Sequence, residues 1–149
     1  MSSSPERAPL SGSRTKARRA ALDLLFEAEQ RGVNAGELLA SRLAAPVGEA
    51  PLREYTVALV EGVVAHWRTI EEALGTYSQG WSLDQMPAVD RAILRVGAWE
   101  ILYNDDVPDA VATQQAVELA TALSTDASPG FVNGLLSRLS EVKATLDLA

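Results

Sequence analysis

Residues 87–103, PAVDRAILRVGAWEILY, constrain the fold more than any other stretch of this chain. At about 3.6 residues per turn, the apolar residues of this stretch cover most of the helix circumference instead of a single stripe. A helix with such a surface is stable in water only when other helices surround it. The apolar residues are Ile93, Leu94, Val96, Trp99, Ile101 and Leu102. The stretch therefore predicts a central, buried helix.

Four charged residues interrupt this apolar surface, namely Asp90, Arg91, Arg95 and Glu100. Because a buried charge is costly unless it is paired, we expect these residues to have specific roles. Asp90 also lies near the helix N-terminus, where the helix dipole favours a carboxylate. The polar residues 104–106, followed by a proline at position 108, end the predicted helix.

The rest of the chain shows the same helical period, and no stretch alternates with the period of two that is typical of strands. Ser13 or Thr15 is a suitable N-cap for the first helix. The longest segment exceeds a usual globular helix, and Gly62 and Thr69 mark where it could divide. The other predicted helices span about residues 13–32, 35–43, 52–78, 108–124 and 128–142. We therefore predict an all-α bundle of about seven helices with short connections.

The net charge of −7 is unevenly distributed along the chain. Residues 1–19 contain five basic residues and one acidic residue, whereas the remainder contains eight basic and nineteen acidic residues. A basic N-terminal arm on an acidic body favours local contact with a polyanion over DNA binding by the whole surface.

The chain has no cysteine, which excludes disulfides, thiol nucleophiles and cysteine-bound metals. It has no signal-like apolar segment near the N-terminus, and no run approaches the roughly 18 apolar residues of a membrane span. We expect a cytoplasmic protein with no membrane association. Residues 1–12 are rich in Ser and Pro and predict a disordered lead-in, while residues 13–149 are expected to form one domain.

The densest basic cluster lies at the start of the first predicted helix. It consists of Arg14, Lys16, Arg18 and Arg19. Positive charge at a helix N-terminus opposes the helix dipole, so the cluster mildly destabilises its own helix and favours an external phosphate partner. The alternative is an ordinary solvated helix end. Phe26, two turns further on, could stack on an unpaired base or belong to the core.

No pattern in the chain indicates catalysis, a metal or a cofactor. His66 is the only histidine, and no nucleophile accompanies it. Asp105, Asp106 and Asp109 do not have the spacing of a calcium loop, and helix capping explains them more simply. Neither a G-x-S-x-G turn nor a glycine-rich phosphate loop occurs. We expect a protein that binds and does not catalyse.

Four blocks of sequence together resemble the NusB family of transcription antitermination factors. They are ARRAALDLLFEAE at 17–29, DRAILRVGAWEIL at 90–102, QAVELA at 115–120 and FVNGLL at 131–136. The order and spacing of the blocks agree with the family over residues 14 to about 139. The resemblance implies two small helical bundles packed together, at about 14–65 and 66–146.

The resemblance also implies a function. NusB-like proteins bind the boxA segment of nascent ribosomal RNA with NusE, a small-subunit ribosomal protein, within the RNA polymerase antitermination complex. The residues that match the family's RNA-binding positions are Arg14, Lys16, Arg18, Arg19, Phe26, Phe131 and Asn133. Asp90 falls where the family meets its protein partner.

Two positions depart from the family pattern, and other interpretations remain open. Many relatives have a carboxylate at the position of Gln115 and a lysine at that of Thr121. One alternative is a helical scaffold that binds only proteins. Another is a relative of the RNA-binding domain of ribosomal RNA cytosine methyltransferases, although we expect no methyl-donor domain in 149 residues. The sequence leaves open whether the chain is a monomer or a homodimer.

Overall fold

The computed structural model describes residues 12–45 and 51–148, and within these ranges the chain is helical and contains no strand. The predicted all-α fold is therefore confirmed. The lead-in predicted for residues 1–12 lies outside the described residues, except for Gly12. The elements are α1 (Ser13–Arg31), α2 (Ala35–Ala44), α3 (Glu54–Ala65), α4 (Trp67–Tyr77), α5 (Ala88–Tyr103), α6 (Asp109–Leu123), α7 (Ser128–Val142) and a short 3₁₀ helix (Lys143–Thr145).

Helix α5 is the centre of the bundle, as the sequence predicted. It packs against α1, α3, α4, α6 and α7. Ile93 and Leu94 are completely buried, and Leu102 is nearly so. Trp99 is only half-buried, because it lies where α5 meets α3 at the edge of the core. Since all the helices share one hydrophobic core, the position of α1 is set largely by its contacts with α5 and α3.

The long helical segment 52–78 divides at His66, and not at Gly62 or Thr69 as the sequence suggested. His66 has φ −116° and ψ 26°, which ends α3 and begins α4. Its ring stacks on Tyr103 with a centroid separation of 3.7 Å. Gly62 serves packing instead, because a Cβ there would lie 2.1 Å from Nε1 of Trp99. The glycine thus allows α3 to approach α5 closely.

Among the described helices, we find none with the length and apolar content that crossing a membrane requires.

The four charges of α5 all have side-chain hydrogen-bond partners on other parts of the chain. Two of these partners are on α1, so the charges help to fix how α1 lies on the bundle.

Candidate nucleic-acid interface

The predicted basic cluster at the start of α1 divides into two groups in the structure. Arg14, Lys16 and Arg19 are exposed, whereas Arg18 retains only 4% of its surface. Arg18 does not share the exposed surface of the other three cations of the predicted cluster. Spacings of three, four and seven place Arg18 on the same stripe as Ala21, Leu22 and Leu25, all of which are buried.

Arg18 forms a buried ion pair with Glu100 of α5. Its Nε donates to both carboxylate oxygens at 3.0 and 2.9 Å, and Glu100 is 1% exposed. Nη1 of Arg18 lies 3.4 Å from Oε1 of Gln115 on α6. A surface contact with RNA is therefore not available to the Arg18 guanidinium in this arrangement. Its partners instead link α1 to α5 and α6.

Tyr55 of α3 completes this polar cluster. Its hydroxyl donates to Glu100 and accepts a hydrogen bond of 3.1 Å from the amide of Asn104. Burial, followed by the hydrogen bond to the Glu100 carboxylate, strongly raises the pKa of the Tyr55 phenol. The hydroxyl therefore stays protonated and remains a donor. Cζ of Arg14 lies 3.8 Å from the centroid of the Tyr55 ring, so the exposed guanidinium rests on the aromatic group.

The first turn of α1 has no side-chain cap, which corrects the predicted capping by Ser13 or Thr15. Gly12 is the N-cap residue, and the first turn contains no acidic residue. Thr15 is buried and donates to Oε1 of Gln115 at 2.7 Å. Gln115 thus accepts hydrogen bonds from two residues of α1, Thr15 and Arg18. Because no carboxylate lies in the first turn of α1, the helix dipole is not compensated there. This end of the helix therefore favours an external anion.

The exposed cations differ in how far the described residues neutralise them. Arg19 pairs with Asp23 at 3.3 Å, and both side chains are about half exposed. Such a pair is weak and readily exchanged for another anion. Arg14 and Lys16 form no ion pair with the part of the chain that the structure describes. These three side chains, Arg14, Lys16 and Arg19, are called the cationic strip below.

Charged residues also cluster at the other end of α1, in a different arrangement. Glu29 accepts hydrogen bonds from Arg91 and Arg95, and Arg95 also donates to Glu71 of α4 at 2.8 and 3.0 Å. The hydrogen bond from Arg91 is the largest cause of a lowered Glu29 pKa. Burial acts to lower the pKa of Arg95, but its bonds to Glu71 and Glu29 outweigh this effect and raise it.

This second cluster borders a cleft of about 720 Å³ between α1, α2, α4 and α5. The Arg95 guanidinium also lies 4.4 Å from the ring of Trp67, which is partly exposed. Since two guanidiniums face two carboxylates here, the cluster is internally balanced. It offers no excess of positive charge for a phosphate.

Asp90 does not lie on the surface, where a direct contact with a protein partner would require it. It is 0% exposed, and its Oδ1 accepts a hydrogen bond of 2.5 Å from the Ser124 hydroxyl. Ser128 donates to Ser124, and Thr125 contacts Ser128 through its hydroxyl and its backbone N–H. The partner contact expected of Asp90 does not fit this buried position. In the structure, Asp90 has a structural role instead. Asp90 holds the connection between α6 and α7 against the start of α5.

The remaining predicted RNA-binding residues do not form one surface. Phe26 is half-buried and packs against the core. Phe131 is half-buried and lies edge-on to Trp81 with a centroid separation of 4.8 Å. Asn133 is exposed and lines a shallow groove between α6 and α7. Two helical residues that are two positions apart point about 200° apart, so Phe131 and Asn133 face opposite sides of α7.

Sequence reasoning missed Tyr55, and it noted Glu100 and Gln115 without assigning partners to them. Glu100 did carry a signal, because a carboxylate on an apolar helix requires a buried cation. Arg18, at helical spacing from Ala21 and Leu25, was the cation that fitted. Tyr55 carried no comparable signal, since its contact with Arg14 depends on how α3 packs against α1.

The model of the NusB family matches residues 15–141 of this chain. The chain belongs to the NusB family. The transcription antitermination protein NusB of Beutenbergia cavernae is 61% identical over 141 residues, which cover 89% of this chain and 92% of that protein. The corresponding protein of Arthrobacter sp. strain FB24 is 57% identical over 133 residues and covers 89% of this chain and 96% of its own length.

Solved NusB structures share this fold. T. maritima NusB is 26% identical with a TM-score of 0.75, and the match covers 91% of this chain and 99% of that chain. A crystal structure of antitermination factors NusB and NusE in complex with dsRNA gives a TM-score of 0.73 at 26% identity, over 87% of this chain and 96% of that chain. The recognition of the family from four sequence blocks is therefore confirmed.

Proposed function

We propose that this NusB family member is a transcription antitermination factor that binds the boxA segment of nascent ribosomal RNA together with NusE. The observation that carries the proposal is the cationic strip, which is exposed on a chain whose net charge is −7. The relatives named above are antitermination proteins, and one solved relative was crystallised with NusE and RNA. These names support the same role here.

The strip supplies phosphate contacts, which give affinity and orientation without reading sequence. Arg14, Lys16 and Arg19 fill this role directly. Arg18 contributes by fixing α1 on the bundle through Glu100. Asn133 is exposed and free to contact RNA, whereas Phe26 and Phe131 would first have to leave their packing positions. The protein binds without catalysing a reaction and acts in the cytoplasm within the RNA polymerase antitermination complex.

For the NusE partner, Asp90 acts through the connection between α6 and α7, which it holds by its bond to Ser124. A carboxylate that is completely buried offers no direct contact. Asp90→Asn keeps the shape and most of the hydrogen-bonding capacity, so it should leave the NusE affinity nearly unchanged. If Asp90 touched NusE as a charge, the same variant would weaken the complex strongly.

The test is a titration of single-stranded boxA RNA, with and without NusE, at several salt concentrations. We expect affinity to rise when NusE is present and to fall with salt, because phosphate contacts release counterions. A scrambled RNA of equal length is the control. A helical scaffold that binds only proteins would bind NusE but show no preference for boxA over the scrambled RNA, and this outcome would reject the proposal.

A further inference from the structure

Arg14 and Tyr55 form a stacked pair on the same surface as the cationic strip. Cζ of Arg14 lies 3.8 Å from the Tyr55 ring centroid, which is close to the contact distance of two stacked groups. Arg14 is exposed and forms no ion pair with the described residues. One face of its guanidinium is thus covered by Tyr55, and no carboxylate of the described residues neutralises its charge.

Hydrogen bonds hold the Tyr55 ring that lies beneath Arg14. Tyr55 is held by Glu100 and Asn104 through its hydroxyl, and Glu100 is held by Arg18. The ring of Tyr55 is also 5.8 Å from the Arg18 guanidinium. Arg18 lies on α1 and Tyr55 on α3, whereas Glu100 and Asn104 lie at the C-terminal end of α5. Contact with this ring favours one position of the Arg14 side chain before any ligand arrives, which lowers the entropy cost of binding.

We propose that Arg14, laid on Tyr55, is a preformed platform on which one unpaired base of the bound RNA stacks. Single-stranded RNA is commonly recognised by stacking its bases on aromatic rings or on arginine guanidinium planes. The outer face of Arg14 offers such a plane beside the phosphate-binding cations. Tyr55 is a positioning residue in this arrangement, since it acts on the base through Arg14. This inference rests on the proposed RNA-binding function.

A platform differs from a simple phosphate contact in what it requires of residue 14. A phosphate contact needs only a positive charge, which lysine also provides. Stacking needs the planar guanidinium, which lysine lacks. Arg14→Lys therefore separates the two roles at an exposed position where folding is not at risk. Arg31→Lys, at the exposed far end of the same helix, is the matched control for this substitution.

The experiment measures binding of boxA RNA in the presence of NusE, with single adenines replaced in turn by the fluorescent base 2-aminopurine. Stacking quenches this fluorophore, so the platform predicts quenching at one particular position in the complex. We expect Arg14→Lys to remove that quenching and to weaken binding by about five- to tenfold, near the lower limit for one stacked base. The salt dependence should stay unchanged, and Arg31→Lys should behave as the unmodified protein.

Tyr55→Leu provides a second measurement, because it removes the ring under Arg14. We expect the same loss of quenching, and little further loss of affinity when it is combined with Arg14→Lys, since both changes remove one platform. Equal affinity and equal quenching for Arg14→Lys and the unmodified protein would overturn the platform. Weaker binding with no quenched position in the unmodified protein would also overturn it. If the unmodified protein does not bind boxA at all, the proposed function itself fails.

Discussion

The two ends of α1 both carry ionic clusters, but they use their charges differently. At the C-terminal end, Glu29 and Glu71 face Arg91 and Arg95, so two carboxylates meet two guanidiniums. At the N-terminal end, Glu100 pairs with Arg18 and with no cation of the strip. The three cations of the strip remain exposed. The C-terminal cluster is internally satisfied, whereas the N-terminal cluster leaves positive charge for a ligand.

The difference between the two ends shows that counting basic residues does not identify a binding surface. Arg18, Arg91 and Arg95 all appear basic in the sequence, yet each is paired with a carboxylate inside the fold. The cations that remain outside these buried pairs are the ones that can hold phosphate. Helix α5 carries one half of the buried pairing at both ends of α1, so the contacts that position α1 also remove Arg18 from the exposed cations.

The largest effect is expected from breaking the N-terminal pair. Glu100→Leu leaves the Arg18 guanidinium buried without a charged partner, which should reduce the free energy of unfolding by about 3–5 kcal/mol. The double variant Arg18→Met/Glu100→Leu removes both charges and should recover most of that stability, because buried ion pairs are often replaced by apolar groups at little cost. Chemical denaturation of both proteins measures the difference. Equal stability of the single and double variants would show that the pair is not buried in solution.

At the C-terminal end, removal of one cation should cost less. Arg95→Met removes the partner of Glu71 and one partner of Glu29, but both carboxylates are about a quarter exposed, so water can replace the missing hydrogen bonds. We expect a decrease of about 1–3 kcal/mol in the free energy of unfolding. Denaturation under the same conditions as for Glu100→Leu gives the comparison. A decrease as large as that of Glu100→Leu would mean that the two clusters are equally closed to solvent.

The third effect concerns RNA and involves only the N-terminal end. Lys16→Gln combined with Arg19→Gln removes two exposed cations and should leave folding intact. Each phosphate that is no longer neutralised should flatten the slope of log affinity against log salt by roughly 0.7 for a single strand. We therefore expect a flattening of about one unit or slightly more when boxA binding is measured from low to high salt.

Arg31→Gln is the control for this salt experiment, since Arg31 is an exposed cation of the same helix at its other end. It should leave both affinity and slope unchanged. If Arg31→Gln flattens the slope as much as the double variant does, RNA recognises the general charge of α1, and the contrast between the two ends has no functional meaning.

The sequence was sufficient for the helical class, the central position of α5 and the family, because these depend on periodicity and on blocks of local sequence. It was insufficient for Arg18 and Asp90, whose burial depends on a partner far away in the chain. Arg18 meets Glu100 across 82 positions, and Asp90 meets Ser124 across 34. Because these partners are distant in sequence, Arg18 and Asp90 were interpreted as surface groups although both are buried. Gly62 was similarly interpreted from local propensity, although its role is set by Trp99.

The smallest expected effect is a pH dependence at the C-terminal end. The pKa of Glu29 is lowered from its ordinary value of 4.5, chiefly by the hydrogen bond from Arg91. A carboxylate whose pKa is lower in the folded state stabilises the fold above its unfolded pKa, and this contribution disappears as pH falls through the folded pKa. Because Glu29 is partly exposed, we expect at most about 1 kcal/mol.

The measurement is the difference in unfolding free energy between the unmodified protein and Glu29→Gln. It should be constant from neutral pH down to about 5 and should shrink below the ordinary value of 4.5. Glu61→Gln, at an exposed position without an ion pair among the described residues, controls for removal of a carboxylate. A difference that grows as the pH falls would have the wrong sign for a lowered pKa. It would show that Arg91 and Arg95 do not stabilise the Glu29 carboxylate, and the C-terminal end could not then be regarded as internally balanced.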